Sequence, residues 1–112
     1  MTLRDDQLIE RVRRLYTAVV ADSLDKVGIR GNVMQPYLRP LYRRSKCAGF
    51  AMTVQAIDVD HMPNSPDDYY KGELQAVDAL RDGDIMVVSH CHGSYWGELL
   101  ATAAPIGARE AW

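Results

Sequence analysis

Two predicted strands alternate with two predicted helices between residues 49 and 104. In the first strand pattern, at residues 49–59, Phe50, Met52 and Val54 alternate with small or polar residues. A period of two residues indicates a half-buried strand. The second pattern, at residues 84–89, contains a short continuous apolar run, which is typical of a strand covered on both faces. The order of strand, helix, strand and helix predicts an α/β domain.

Helical periodicity accounts for most of the other apolar residues. Residues 5–27 predict two short helices that meet near Thr17, with Thr17 as the N-cap of the second helix and Gly28 as its left-handed C-terminal cap. Ser65 and Pro66 predict the start of a helix at residues 66–81, because a capping hydroxyl precedes a proline. A last helix is predicted at residues 97–104. The positions expected to face inward are Val20, Leu24 and Val27, then Tyr70, Leu74, Val77 and Leu80, then Leu99, Leu100 and Ala103.

Composition limits the class of protein. The chain has 112 residues, of which 47% are hydrophobic and 25% are charged, and this profile predicts a single domain over residues 1–112. No apolar run is long enough to cross a bilayer, and the first residues lack the apolar core of an export signal. We therefore expect a cytoplasmic protein with no membrane partner.

The irregular connection predicted at residues 29–47 contains a basic run. Arg39, Arg43, Arg44 and Lys46 lie close together in a chain whose net charge is −2. Binding of single-stranded nucleic acid combines such cations with several stacking aromatic side chains, and the run has few. The run is interpreted as a solvated loop or a subunit contact rather than an RNA site, so no nucleic-acid partner is expected.

The histidines and cysteines leave several interpretations open. His90, Cys91 and His92 could contribute to a metal site together with His61, or Cys91 could be an activated thiol. A loop of ordinary polar contacts is the simpler interpretation, because His-x-His alone is a weak metal signal. Cys47 is interpreted as a small buried residue. A solvated loop that starts a helix accounts for Asp58, Asp60, Asp67 and Asp68.

The segment after the second strand is the strongest candidate for a binding site. A strand that leads through a loop into a helix at Gly97 leaves backbone N–H groups pointing into a crevice, where they attract carboxylates or phosphates. Gly97 has no Cβ, so a ligand could approach the main chain closely. The alternative interpretation is that Gly97 only allows the helix to pack tightly.

Four stretches are distributed along the chain between Thr17 and Gly107: TAVVADSLDKVG at residues 17–28, AGFAMTV at 48–54, DGDIMVV at 82–88 and WGELLATAA at 96–104. In this order, they resemble the RraA-like family, which includes 4-hydroxy-4-methyl-2-oxoglutarate aldolases and oxaloacetate decarboxylases.

The resemblance implies an α/β/α sandwich of the swivelling β/β/α type, assembled as a homotrimer or a dimer of trimers with sites between subunits. It implies that the backbone of the stretch matching Gly97, Glu98, Leu99 and Leu100 holds the carboxylate and keto end of a pyruvate-like 2-oxo acid. The implied reaction is retro-aldol cleavage to pyruvate, with a divalent cation, Mg²⁺ or Mn²⁺, stabilising the enolate.

The last residues of this chain depart from the family pattern. The family places an Arg-Asp pair on a glycine turn after the next strand, and we expect this pair beyond Trp112, so that no catalytic residue and no metal ligand is assigned within the chain. Arg109 resembles a strand-leading arginine of the family, whereas Pro105 and Glu110 are atypical. The chain is therefore expected to be an incomplete, inactive N-terminal portion of such a domain. The alternatives are a non-catalytic regulator that binds a ribonuclease and an inert remnant.

Overall fold

The computed structural model describes residues 6–104. The chain divides into two compact units, and the boundary lies between Ala48 and Gly49. The prediction of one domain over residues 1–112 stays a prediction. None of the helices in residues 6–104 combines the length and the apolar character that a bilayer-crossing helix needs.

The first unit contains two short helices, α1 (Asp6–Arg13) and α2 (Thr17–Lys26). The predicted left-handed cap of α2 is confirmed, because Gly28 has φ +84° and its N–H donates to the Asp25 carbonyl at 3.0 Å. The N–H of Ile29 donates to the Leu24 carbonyl at 2.9 Å. These two bonds satisfy the last carbonyls of the helix in the Schellman arrangement.

The predicted N-cap of α2 is wrong. The N-cap is Tyr16, which is extended and makes no side-chain capping bond, and Thr17 is already the first helical residue. The hydroxyl of Thr17 is therefore one position too late to act as the cap. Val27 is also not inward-facing: it is the C-cap residue of α2, outside the helical repeat, and is 71% exposed.

Residues 29–48 form neither helix nor strand, in keeping with the predicted irregular connection. The side-chain amide of Asn32 donates to the Ile29 carbonyl and to the Asp25 carboxylate, which ties the start of this segment to α2. The predicted burial of Cys47 is wrong, since its thiol side chain is exposed. Cys47 lies in the irregular segment of residues 29–48 and not on the inner face of a helix or strand.

The second unit contains a two-stranded parallel sheet. Strands β1 (Phe50–Val54) and β2 (Asp84–Val88) pair from Phe50 opposite Asp84 to Val54 opposite Val88. The alternation predicted for β1 is confirmed, because Phe50, Met52 and Val54 are half-buried and the residues between them are exposed. Mixed helices and a small parallel sheet make this an α/β arrangement, as predicted.

Strand β1 ends earlier than the predicted 49–59 because a side chain replaces the backbone ladder. The Ser89 N–H donates to the Val54 carbonyl at 3.0 Å, and this is the last backbone bond of the pair. The Ser89 hydroxyl then accepts from the Ala56 N–H at 2.9 Å and donates to the Ala56 carbonyl at 3.1 Å. Because the Ser89 hydroxyl bonds both the N–H and the carbonyl of Ala56, these backbone groups do not extend the pairing of β1 with β2.

The connection between the strands contains a 3-10 turn (Pro66–Asp68) and helix α3 (Lys71–Asp78) instead of one helix over 66–81. The predicted cap is confirmed, since the Ser65 hydroxyl accepts from the Asp67 N–H at 3.3 Å. The helix is interrupted because Tyr69 is extended and Tyr70 is left-handed, with φ +58°. The expected burial of Tyr70 and Leu74 is wrong. Tyr70 is 72% exposed, because this break removes it from the face that carries Val77, and Leu74 is 48% exposed.

The core of the second unit is small. Val77 and Leu80 from the α3 region, Met86 from β2 and Ala104 are buried. Partly buried residues pack around them: Met52, Val54, Ala76, Val88, Tyr95, Trp96 and Leu100. Strand β2 is not covered on both faces as predicted, because Val87 is 38% exposed whereas the adjacent Met86 is 5% exposed.

Helix α4 (Glu98–Ala103) presents one of its leucines to this core. Leu100 packs against the buried cluster, whereas Leu99 is 84% exposed, contrary to the prediction that both are inward-facing. Consecutive helical residues point about 100° apart, and the core lies on the side of Leu100. Ala103 is exposed as well.

Candidate functional site

The carboxyl ends of the two parallel strands lie at one edge of the sheet, and the segments that leave them border two clefts. In open α/β sheets, ligands bind outside the carboxyl ends of the strands. Helix α3 contributes to both clefts, because Glu73 lines each of them. This edge of the second unit is therefore the place where the structure gathers candidate functional groups.

The first cleft, here called the Gly97 cleft, has a volume of about 400 Å³. All four residues predicted to bind substrate, Gly97, Glu98, Leu99 and Leu100, lie along it. The remaining lining residues are Tyr70, Glu73, Leu74, Ser94, Tyr95 and Trp96. The four residues at the start of α4 were identified from the sequence. The contribution of α3 was not, because α3 is distant from Gly97 in the sequence.

The backbone at the start of α4 leaves donors available to this cleft. Gly97 is the N-cap residue, with φ −153° and ψ −175°, and its carbonyl accepts from the Ala101 N–H at 3.0 Å. Within residues 6–104, the N–H groups of Glu98, Leu99 and Leu100 have no acceptor. The first N–H groups of any α-helix lack partners inside the helix, so they bind water, a cap or a ligand.

Gly97 is not required by packing in the described part of the chain. A Cβ added at Gly97 would meet no heavy atom within 4 Å, and its extended φ is accessible to every residue type. The interpretation of Gly97 as a residue that only permits tight helix packing therefore has no support here. The missing side chain leaves open space beside the amides instead.

The electrostatics of the Gly97 cleft are acidic. Glu73 and Glu98 contribute carboxylates, and its described lining contains no lysine or arginine. Burial, and then the charge of Glu73, raises the pKa of the Tyr95 hydroxyl above its ordinary value of 10.0. Tyr95 is therefore a neutral hydrogen-bond donor at physiological pH. The described lining can hold an anion through N–H and O–H groups, but any cationic partner has to come from elsewhere.

The second cleft, here called the strand-end cleft, has a volume of about 380 Å³ and is lined by residues that follow both strands. Asp58 closes one side of it and accepts two hydrogen bonds from His92, from the backbone N–H at 2.9 Å and from Nδ1 at 2.6 Å. These bonds lower the pKa of the Asp58 carboxyl below 3.8, the side-chain bond having the larger effect. This pair was not predicted from the sequence, because its two residues lie 34 positions apart.

Cys91 also lines the strand-end cleft, and its thiol lies 3.5 Å from the Gly93 carbonyl oxygen. The rings of His90 and His92 meet edge to face with centroids 5.5 Å apart. His61, the third histidine considered for a metal site, contacts Asp60 at 3.1 Å instead. These contacts agree with a loop of ordinary polar interactions.

The residues that the structure describes do not fit a divalent-metal site. No group of three or more His, Cys, Asp or Glu side chains in residues 6–104 is arranged to hold a metal ion. The metal expected from the family resemblance therefore has no ligand set in this part of the chain. Pro105, Arg109 and Glu110, which the sequence analysis singled out, lie outside the described residues.

Comparison with known proteins agrees with the motifs found in the sequence. No solved structure shows a significant match to the chain. The family model described as RraA-like: Aldolase/RraA matches residues 17–107, a span that contains all four of the stretches that resemble the family. Because this match covers most of the 112 residues, the chain belongs to the RraA-like (Aldolase/RraA) family.

Proposed function

We propose that the chain binds the carboxylate and keto end of a pyruvate-like 2-oxo acid in the Gly97 cleft. The N–H groups of Glu98, Leu99 and Leu100 are without acceptors among the described residues and border a cleft of suitable size. This is the observation that carries the proposal. Membership of the RraA-like family supports a 2-oxo acid rather than a phosphate as the anion.

The reaction we propose for the complete site is metal-dependent retro-aldol cleavage of 4-hydroxy-4-methyl-2-oxoglutarate-type acids to pyruvate, together with decarboxylation of oxaloacetate. In this reaction the described residues bind and orient the substrate. Open space at Gly97 lets the anion reach the main chain, and the neutral Tyr95 hydroxyl lines the same cleft. No catalytic step is assigned to residues 6–104, because no group of His, Cys, Asp and Glu side chains there could hold a metal ion.

Further parts of the proposal concern the protein as a whole. We propose the α/β/α sandwich of the family, one domain over residues 1–112, a cytoplasmic location, and a homo-oligomer, trimeric or hexameric. The family match and the parallel sheet support an α/β arrangement. Self-association is supported by the large apolar side chains that the described residues leave exposed.

Anion binding can be tested by titrating ¹⁵N-labelled protein with oxalate, a stable planar mimic of the pyruvate enolate, and following backbone amide shifts. We expect the largest shifts at Glu98, Leu99 and Leu100. Gly97→Val fills the open space with a side chain and should weaken oxalate binding by about tenfold, the equivalent of one good hydrogen bond. Gly72→Ala is the matched control, because an added Cβ there also meets nothing within 4 Å.

Unchanged affinity in Gly97→Val, or shifts confined to another surface, would exclude the proposed site. Assays of pyruvate release with Mg²⁺ or Mn²⁺ address the reaction separately. We expect negligible turnover, because residues 6–104 contain no group that could hold the metal ion, and rapid turnover would overturn this expectation. Specific capture of a ribonuclease combined with no oxalate binding would favour the regulator instead.

A further inference from the structure

Charge is segregated along this chain. The segment of residues 29–46, here called the basic segment, contains five lysine and arginine residues and no acidic residue. Residues 49–104 contain nine acidic and only two basic residues, whereas residues 1–28 are balanced. The small net charge of −2 therefore conceals two regions of opposite sign.

The cations of the basic segment are largely unneutralised. Arg30 pairs with Asp25 at 3.3 Å, and the Lys46 ammonium lies 5.8 Å from the centre of the Tyr16 ring. Among residues 6–104, no carboxylate pairs with Arg39 or Arg43. Three or more free positive charges on one short segment form an electrostatic surface that favours an acidic partner.

The basic segment is also apolar at its surface. Leu41 is 86% exposed and Tyr37 is 77% exposed. The other large apolar side chains exposed there are Ile29, Val33, Met34, Leu38 and Tyr42. Single exposed apolar residues are normal on a protein surface, but seven large ones within residues 29–42 favour an interaction site.

A surface of matching character surrounds the Gly97 cleft. Tyr70, Leu74 and Leu99 are exposed there, Leu99 more than any other of the large apolar residues of the cleft. Glu73 and Glu98 line the same cleft. This cleft rim therefore has the apolar character of the basic segment and the opposite charge.

We propose that the basic segment of one copy of the chain docks on the cleft rim of a second copy. The proposal rests on the self-association proposed above and assigns the two surfaces that carry it. Opposite charges provide register and apolar side chains provide buried area, the usual division of roles in a protein interface. Because the two surfaces differ, the contact is heterologous and closes into a ring if the rotation allows.

A second copy accounts for more of the observations than a nucleic acid does. Phosphates would satisfy Arg39 and Arg43 but would leave aliphatic side chains such as Leu41 in water. The docked segment also brings arginine to a cleft whose described lining contains no cation. An arginine there would complement the carboxylate of the bound 2-oxo acid.

The test compares self-association of charge variants by sedimentation velocity and light scattering at low and high salt. The interface variant is Arg39→Glu with Arg43→Glu. The control is Arg11→Glu with Arg14→Glu, which makes the same change in charge on exposed residues of the α1 region. A third variant, Glu73→Lys with Glu98→Lys, reverses the rim, and circular dichroism checks that every variant is folded.

We expect the wild-type chain and the control to associate, and both reversals to weaken association by about tenfold or more. Mixing the two reversed variants should restore association, because each then supplies the sign that the other lacks. A monomeric wild type, an interface variant that associates like the wild type, or a mixture that stays monomeric would overturn the proposal. Binding of a mixed-sequence RNA through Arg39 and Arg43 by a chain whose association does not depend on those residues would also overturn it.

The oxalate titration separates this proposal from the proposed function. Oxalate shifts at Glu98, Leu99 and Leu100 in a chain that does not associate would overturn the interface alone. Charge-dependent association in a chain that binds no oxalate would support the interface and overturn the 2-oxo-acid site.

Discussion

The Asp58 carboxylate accepts hydrogen bonds from both the backbone and the imidazole of His92, 34 residues away in the sequence. These bonds join the segment that leaves β1 to the segment that leaves β2. Ser89 and Ala56 make a second link between the same segments, through two hydrogen bonds of 2.9 and 3.1 Å. The edge of the sheet that borders the strand-end cleft is therefore held by side chains beyond the point where the strands end.

The Asp58–His92 link predicts a specific pH dependence. Its hydrogen bonds hold the pKa of Asp58 below 3.8, so the contribution of the link is fully present above that pH and is lost as the pH falls through the lowered value. We expect NMR titration of the Asp58 carboxyl to give a pKa below 3.8 in the wild type and closer to 3.8 in His92→Ala. Asp58→Asn should speed hydrogen exchange at the His92 amide.

Asp60→Asn provides the control for this experiment, because Asp60 also contacts a histidine, His61, but makes no link between the two segments. It should leave exchange at His92 unchanged. An Asp58 pKa that does not respond to His92→Ala would show that the pair does not form in solution.

Gly49 is required by close packing against the turn before β2. A Cβ at Gly49 would lie 2.6 Å from the Gly83 carbonyl oxygen and 2.9 Å from Cγ1 of Ile85. Since the nearest atom belongs to the backbone, Gly49→Ala should lower the free energy of unfolding by about 1–3 kcal/mol. Urea denaturation followed by circular dichroism measures this change.

Gly72→Ala is the comparison for Gly49→Ala, because Gly72 lies within α3 and an added Cβ there meets nothing. It should raise stability by about 0.5–1 kcal/mol, since glycine disfavours a helix relative to alanine. Equal effects of the two substitutions would contradict the close approach at Gly49.

Met86 is the buried residue that β2 contributes to the core, and it is 5% exposed. Met86→Ala should lower the free energy of unfolding by about 2–5 kcal/mol through lost burial and the cavity left behind. Met62→Ala, at a methionine that is 70% exposed, should change stability little. Similar losses in the two variants, measured by urea denaturation, would argue against the described core.

The raised pKa of Tyr95 predicts a change in stability at alkaline pH. Burial, followed by the charge of Glu73, raises the pKa of its hydroxyl above 10.0, so its contribution to stability is present below pH 10.0 and is lost as the pH rises through the raised value. In Glu73→Gln we expect the pKa to move back toward 10.0 but to stay above it, because burial remains. Ultraviolet titration of the phenolate, assigned by NMR, measures both values.

Asp78→Asn removes the same charge from α3 and should leave the Tyr95 pKa unchanged, because Glu73 and Cys91 are the charged groups that raise that pKa. A Tyr95 pKa at or below 10.0 in the wild type would contradict the partial burial of Tyr95 and the effect of the Glu73 charge.

Features that depend on neighbouring residues could be predicted from the sequence. The left-handed cap at Gly28, the Ser65 cap and the alternating burial of β1 all follow from local conformational preference or from a period of two residues. Gly97, Glu98, Leu99 and Leu100 could be singled out for the same reason, since a helix start exposes its own amides. The family match to residues 17–107 agrees with the stretches that carried the resemblance.

Features that depend on distant residues could not be predicted in this way. The apolar pattern placed Tyr70 inside a helix, but its left-handed backbone interrupts that helix and exposes its ring. Leu99 and Leu100 are equally apolar, and only the position of the core decides that Leu100 packs and Leu99 does not. Glu73 and Leu74 reach the Gly97 cleft from α3, a contact that no local spacing reveals.

The sequence by itself determined the order of strands and helices, the glycine at the start of α4 and the separation of basic and acidic segments, because each of these is a property of consecutive residues. Only the tertiary structure decided which residues meet at the carboxyl edge of the sheet. Parallel pairing of β1 with β2 brings both exits to one edge and places Asp58 against His92. Register between two strands is set by the packing of their side chains across the core, and it is not encoded in either strand alone.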